Sequence, residues 1–203
     1  MYFKFFETMK KLVLFFASVL VLSLSTYAQT TNWALDASHS SIQFSVSHLV
    51  ISETTGKFKK YDVVVQSDKA DFSDAKISFS ADVSSIDTEN ADRDNHLKSD
   101  DFFNAEKFPQ ITFVGKSLKK GKGNQYKLTG DLTIRDVTKT VTLDVVFGGT
   151  VKDPWGNTKA GFKIVGKISR QAYGLKWNKL TEAGGAVVGD EVEITCKIEL
   201  GKK

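Results

Sequence analysis

Val192-Glu193-Ile194-Thr195-Cys196-Lys197-Ile198-Glu199-Leu200 alternates an apolar with a polar residue along its whole length. A period of two is the pleat of a β-strand with one face buried and the other in water; a helix would repeat its apolar positions every three or four residues. The same rhythm recurs upstream. Ile42, Phe44 and Val46 alternate with Ser41, Gln43, Ser45 and Ser47, and Ile77, Phe79, Ala81 and Val83 with Lys76, Ser78, Ser80 and Asp82. Further rows are Tyr126, Leu128, Leu132 and Ile134; Val141, Leu143, Val145 and Phe147; and Phe162, Ile164 and Ile168. With shorter runs at Tyr61 to Val65 and Gln110 to Val114, the sequence predicts about eight strands.

Turn chemistry separates these rows. Lys119-Lys120-Gly121-Lys122-Gly123-Asn124 and Asp153-Pro154-Trp155-Gly156-Asn157 are rich in residues that accept turn dihedrals, so the strands are read as hairpin-connected and antiparallel. Each row has one polar face, which means no layer covers the sheet from outside. The apolar faces then meet one another, in a two-sheet sandwich or in a closed barrel. Rows of eight or nine residues give strands of roughly 30 Å. That is longer than a typical sandwich strand and favours a barrel, which has room for a ligand inside. One segment, Glu89 to Lys107, breaks the rhythm. Asn90 is suited to cap a short helix through Leu97, and Ser99 or Asp100 a second helical turn carrying Phe102 and Phe103. Such an insertion would sit across one barrel mouth.

Residues 1–28 are set apart from the fold. Lys4, Lys10 and Lys11 precede an apolar run from Leu12 to Leu24, and Thr26-Tyr27-Ala28 offers small residues where a signal peptidase cuts. The run is shorter than the roughly 20 apolar residues of a membrane anchor. A cleaved signal peptide is expected over 1–28, with one mature domain over 29–203 and a periplasmic or secreted destination. Removing the first 28 residues changes the balance of basic to acidic residues from 28 against 24 to 25 against 23, so the domain is nearly neutral. No basic stripe interleaved with aromatics is present, and nucleic acid is not an expected partner. The single cysteine, Cys196, has no internal disulfide partner.

Chemistry is sparse. The three histidines, His39, His48 and His96, lack the spacing of a helical or strand-borne zinc site, so no metal is expected. There is no Gly-x-Ser-x-Gly elbow, and Cys196 lies on an apolar face where a thiol is a poor nucleophile. No catalytic residue and no enzyme are therefore expected. His48 continues the inward row of Ile42, Phe44 and Val46, where it serves either as a rim histidine or as a contact for a ligand head. Arg93 and His96, three apart on the short helix, and Asp94 with Lys98, four apart, make either a solvated ion-paired face or a basic rim for a diphosphate or quinone head. Arg170 is a second rim candidate, beside the apolar loop of Tyr173, Gly174, Leu175 and Trp177.

The chain resembles the YceI-like, polyisoprenoid-binding family over essentially the whole mature sequence. The resemblance is carried by Trp33-x-Leu35-Asp36-x-x-His39-Ser40-x-Ile42-x-Phe44, Gly56-Lys57-Phe58, and Asp87-Thr88 followed by Arg93-Asp94-x-His96-Leu97 and Asp101-Phe102-Phe103. It continues through Phe108-Pro109-x-Ile111-Thr112-Phe113, Gly130-x-Leu132-Thr133-Ile134-Arg135 with Val137-Thr138-Lys139, and Ser169-Arg170-x-x-Tyr173-Gly174. Asp136 departs from the family, which usually has glycine in that turn. The resemblance implies an all-β, eight-stranded antiparallel lipocalin-like barrel with short inserted helices and an elongated apolar tunnel. It also implies a ligand among polyprenyl diphosphates, isoprenoid quinones and related amphiphiles, with no cofactor beyond that lipid.

The residues expected along the tail are Phe44, Val46, Phe79, Phe113, Leu132, Phe147, Phe162 and Ile164. Those expected at the head or rim are His48, Arg93, His96, Arg170 and Trp177. Asp94 is read equally as a lock between helix and barrel. Two rivals stand beside this reading: an enzyme acting on an isoprenoid, whose activity His48→Ala would abolish, and an envelope stress or interaction module with an empty core. Transient membrane contact and a homodimer through an exposed edge or the Trp177 loop are left open.

Overall fold

A computed structural model describes residues 30–180 and 185–203; the expected signal peptide lies outside the described residues. The chain forms strands β1 (Asn32–Leu35), β2 (Ser41–His48), β3 (Ser52–Phe58), β4 (Tyr61–Gln66), β5 (Lys76–Asp82) and β6 (Ile86–Asp87), of which β1, β3 and β6 are not among the rows read from the sequence. They continue as β7 (Gln110–Lys120), β8 (Gln125–Ile134), β9 (Val137–Lys152), β10 (Thr158–Ser169) and β11 (Val188–Lys202). Every pairing between them is antiparallel. The pairing order runs β1-β4-β5-β7-β8-β9-β10-β11, and β1 pairs with β11 again, so the sheet is a closed barrel of eight strands.

The remaining three segments continue strands already in the ring. β11 pairs with β1 along Leu200 to Lys202 and with β2 along Val188 to Lys197, so β1 and β2 are two halves of one interrupted strand. β4 lies beside β1 while β3 lies beside β2, and β6 continues β5 to reach β3.

The interruptions have a local cause. Asp36 accepts from the backbone N–H of Ser38 at 3.2 Å and its hydroxyl at 2.6 Å, and Asp82 does the same to Ser84 at 2.8 and 2.7 Å. Each Asp-x-Ser offers the backbone a side-chain acceptor in place of the ladder and turns it into one 3₁₀ turn. The break between β3 and β4 lies against the second bend: the N–H groups of Lys59 and Lys60 donate to the carbonyl and hydroxyl of Ser85 at 3.1 and 3.0 Å.

The polar insertion forms one helix, α1 (Ala91–Lys98), beside β6. Asn90 caps it through the Arg93 N–H at 2.9 Å, and Asp92 and Asp94 open it while His96 and Lys98 close it, the order that its dipole favours. The expected second helical turn at Phe102 and Phe103 is a run of hydrogen-bonded turns. Arg135 holds that run by donating to the Asp100 and Phe102 carbonyls at 3.2 and 3.0 Å and to the Asp100 carboxylate at 3.0 Å. Arg135 is also the left-handed residue, at φ 56°, of the two-residue turn joining β8 to β9, so Asp136 in place of glycine does not carry the strained dihedral.

Candidate functional site

Inward residues meet in belts across the ladder. Val63, Phe79, Phe113 and Leu132 are partners on successive strands, and Val145, Ile164, Cys196, Ile42 and Phe58 form a second belt. All of these side chains except Val145 line a cavity of about 170 Å³ whose lining is apolar apart from Gln43. Apolar cavities of about 150 Å³ stay dry and take up apolar guests, so this space suits hydrocarbon better than water. Burial pushes the Cys196 thiol up to about 12, consistent with a small hydrophobe in the wall.

Two rings lie flat against the wall because glycine faces them. A Cβ on Gly56 would come within 2.4 Å of the Phe44 ring, and one on Gly130 within 2.3 Å of the Phe113 ring. Side chains there would drive both rings into the cavity.

The two barrel ends differ. At the end bearing the β4–β5 and β9–β10 turns, Phe72 from the β4–β5 loop fills the bore. Its ring centre is 4.8 Å from Trp33, 5.4 Å from Phe147 and 5.0 Å from Phe162. Phe147 and Phe162 stack at 5.0 Å, and Tyr126 adds an edge contact.

At the opposite end a pocket of about 180 Å³ is lined by Phe44, Val46, His48, Thr54, Arg93, His96, Leu97, Phe102, Trp177 and Val188, among others. Phe44 lines both spaces and stands between them. His96 sits edge-on to Phe102 and Trp177, with ring centres 5.0 and 4.9 Å away, and its Nε2 is 2.8 Å from the Asp101 carboxylate. Arg93 donates through Nε to the Thr88 hydroxyl at 2.8 Å and through Nη2 to the Thr88 carbonyl at 2.7 Å, while Nη1 has no protein partner among the described residues. His48 likewise makes no side-chain hydrogen bond there. A cationic donor and two imidazoles therefore face one pocket above a hydrocarbon-lined bore.

The structure thus brings four of the five expected head residues together: His48, Arg93, His96 and Trp177 share the mouth pocket. Arg170 is placed elsewhere. It is 4% exposed, and its guanidinium donates to the carbonyls of Leu175, Gly189, Trp177 and Val188 at 2.6 to 3.1 Å. Burial lowers its pKa and the Asp190 charge opposes that shift. Of the expected tail residues, Phe44, Phe79, Phe113, Leu132 and Ile164 line the main cavity, Val46 lines the mouth, and Phe147 and Phe162 belong to the closed end.

The model for the YceI-like domain matches residues 33–200, which is nearly all of the barrel. The chain belongs to the YceI-like family. A UPF0312 protein of Staphylococcus aureus strain USA300 is 41% identical over 170 residues, covering 83% of this chain and 96% of that protein. Among solved structures, the YCEI protein of Campylobacter jejuni superposes with a TM-score of 0.66 at 35% identity, over 77% of this chain and 90% of that one. BcnA of Burkholderia cenocepacia gives 0.71 at 27% identity over 81% and 98%. A domain from Saccharophagus degradans gives 0.63 over 84% and 98%, and at 15% identity it shows the shared fold alone.

Within this YceI-like barrel, several motif residues act as fasteners. Asp94 accepts from both the N–H and the hydroxyl of Thr88, at 2.8 and 2.6 Å, and locks the helix to β6; the reading of an Asp94 pair with Lys98 gives way to this contact. Sequence reasoning missed Phe72 and the fastening role of Arg135. Phe72 had a signal, a lone aromatic within Ser67-Asp68-Lys69-Ala70-Asp71-Phe72-Ser73-Asp74. Arg135 had none, because its acceptors are carbonyls more than thirty residues away in sequence.

Proposed function

We propose that this protein binds, carries or stores one long-chain amphiphile without catalysis, and that the lipid is a polyisoprenoid, a polyprenyl diphosphate or an isoprenoid quinone. The carrying observation is the pairing of a hydrocarbon-lined bore with a polar mouth where His48, Arg93 and His96 meet. Each buried methylene contributes about 0.8 kcal/mol, so the tail supplies affinity and the mouth supplies orientation. The fold supports the reading, since the related barrel from Saccharophagus degradans is described as a polyisoprenoid binding domain. Arg93 suits a diphosphate because its fork keeps a donor to spare, and the imidazoles suit a quinone carbonyl.

In this reading the chain is exported and works in the periplasm or outside the cell, where it meets the lipid at a membrane surface. No helix among the described residues is long and apolar enough to cross a membrane. The β2–β3 hairpin beside the mouth supports surface contact, with Val50 74% and Ile51 86% exposed.

The test is to purify the mature protein from a bacterial periplasm, compare native with denatured mass, and identify the extracted lipid. A stoichiometric prenyl species is the expected result. A ligand-free protein that takes up neither quinones nor prenyl diphosphates would sink the carrier reading and leave the interaction-module rival.

A further inference from the structure

The closed end is shaped by a residue that no strand requires. Phe72 lies in the loop between β4 and β5, at φ 57°, a left-handed conformation uncommon for a residue with a side chain. Its ring is nevertheless 1% exposed. Below the main cavity a space of about 60 Å³ is lined by Phe72 together with Val63, Ile77, Leu128, Ile164 and Ile198. Those five aliphatic residues also line the main cavity, whereas Phe72, Phe162, Val145 and Leu200, among others, line only the lower space, so the bore continues downward onto a floor that includes the Phe72 ring.

We propose that Phe72 is the stop against which the far end of the bound tail abuts, so that one loop side chain sets the longest isoprenoid chain the barrel accepts. This rests on the binding reading above. The strands supply the walls and, through Phe147 and Phe162, the backing of the closed end, while Phe72 is the part of that floor presented from a loop. Phe72 reaches into the bore from the β4–β5 loop, backed by Trp33, Phe147 and Phe162.

The loop is built independently of the ring. The Asp74 carboxylate accepts from the Ser67 hydroxyl and from the N–H groups of Asp68 and Lys69, at 2.5, 3.0 and 3.3 Å. The Phe72 N–H donates to the Lys69 carbonyl, and its carbonyl accepts from Ala75, both at 3.0 Å. Shortening the side chain therefore removes the stop and keeps the frame that presents it.

The test measures binding of prenyl-benzoquinones of stepwise increasing isoprene number to the full mature chain and to Phe72→Ala. In the parent, affinity rises with each unit and then levels off where the tail meets Phe72. In Phe72→Ala the break moves to a longer homologue, and the first quinone beyond the parent's limit binds about tenfold tighter, the ratio that two further buried methylenes supply. Phe72→Leu, which keeps more of the buried volume, moves the break in the same direction and serves if the alanine variant does not fold. An unmoved break in a folded variant overturns the stop and leaves Phe72 a core residue. If the parent binds no quinone, the same series is run with prenyl diphosphates; a parent that binds neither class at any length overturns the binding reading and the stop with it.

Discussion

Arg170 shows how a residue can be read correctly as special and wrongly as to what it touches. A charged side chain next to an apolar loop at the end of a strand invites assignment to a ligand. Its acceptors prove to be four carbonyls on both arms of the loop between β10 and β11, and the loop carries Trp177 into the mouth. Lysine cannot reproduce a planar fork, so Arg170→Lys leaves a buried carbonyl without its donor. The expected cost is about 1–3 kcal/mol, for one carbonyl such as that of Leu175 left without a donor, since the Val188 carbonyl also accepts from Asn178. Urea unfolding measures it, and a red-shifted tryptophan emission reports release of Trp177. An unchanged midpoint would mean that the loop is held by other contacts. His48 was legible because the inward period of β2 runs through it; the carbonyls that claim Arg170 depend on a loop conformation that periodicity does not encode.

At the level of elements, the alternating rows revealed eight of the eleven strand segments, because a closed sheet with a wet outer face enforces alternation. Strands β1 and β6 are too short to show it, and β3, with Gly56 against the Phe44 ring, has no apolar row. Two bends at Asp-x-Ser were not legible as bends, since the same residues also read as ordinary strand ends; only the register of β11 against both β1 and β2 reveals one continuous strand. The β2–β3 hairpin departs from turn chemistry more sharply. Its turn places Leu49 at φ 52° and Val50 at φ 67°, where Asn-Gly is the usual choice and a β-branched residue is strained. Replacing Leu49-Val50 by Asn-Gly is expected to stabilise the barrel by about 1 kcal/mol per relieved residue. If the apolar tip meets membrane lipid, the same variant extracts quinone from phospholipid vesicles more slowly while its affinity in detergent stays the same. Equal extraction rates would remove the tip from the loading route.

At the scale of the whole molecule, acidic residues tie neighbouring strands together. Lys159 donates to Asp36 at 2.6 Å and lies 3.4 Å from Glu199, joining β10, β11 and the first bend. That contact, with the Ser38 hydroxyl and His39, holds the Asp36 carboxyl well below the usual range. Hydrogen bonds from Ser67, Ser84 and Lys59 lower Asp74, Asp82 and Asp87 in the same direction. A carboxyl whose folded pKa is depressed stabilises the fold fully above its unfolded value of about 3.9, and that contribution is lost as pH falls toward the folded pKa. The unfolded chain takes up protons first, so acid favours unfolding. The urea midpoint should therefore be flat from about pH 7 to about pH 5 and fall below about pH 4. Lys159→Met should be less stable at neutral pH and lose stability less steeply in acid, because Asp36 then titrates nearer its unfolded value. A parallel acid slope in parent and variant would show that Lys159 does not set the Asp36 titration, and that the serine and backbone donors suffice.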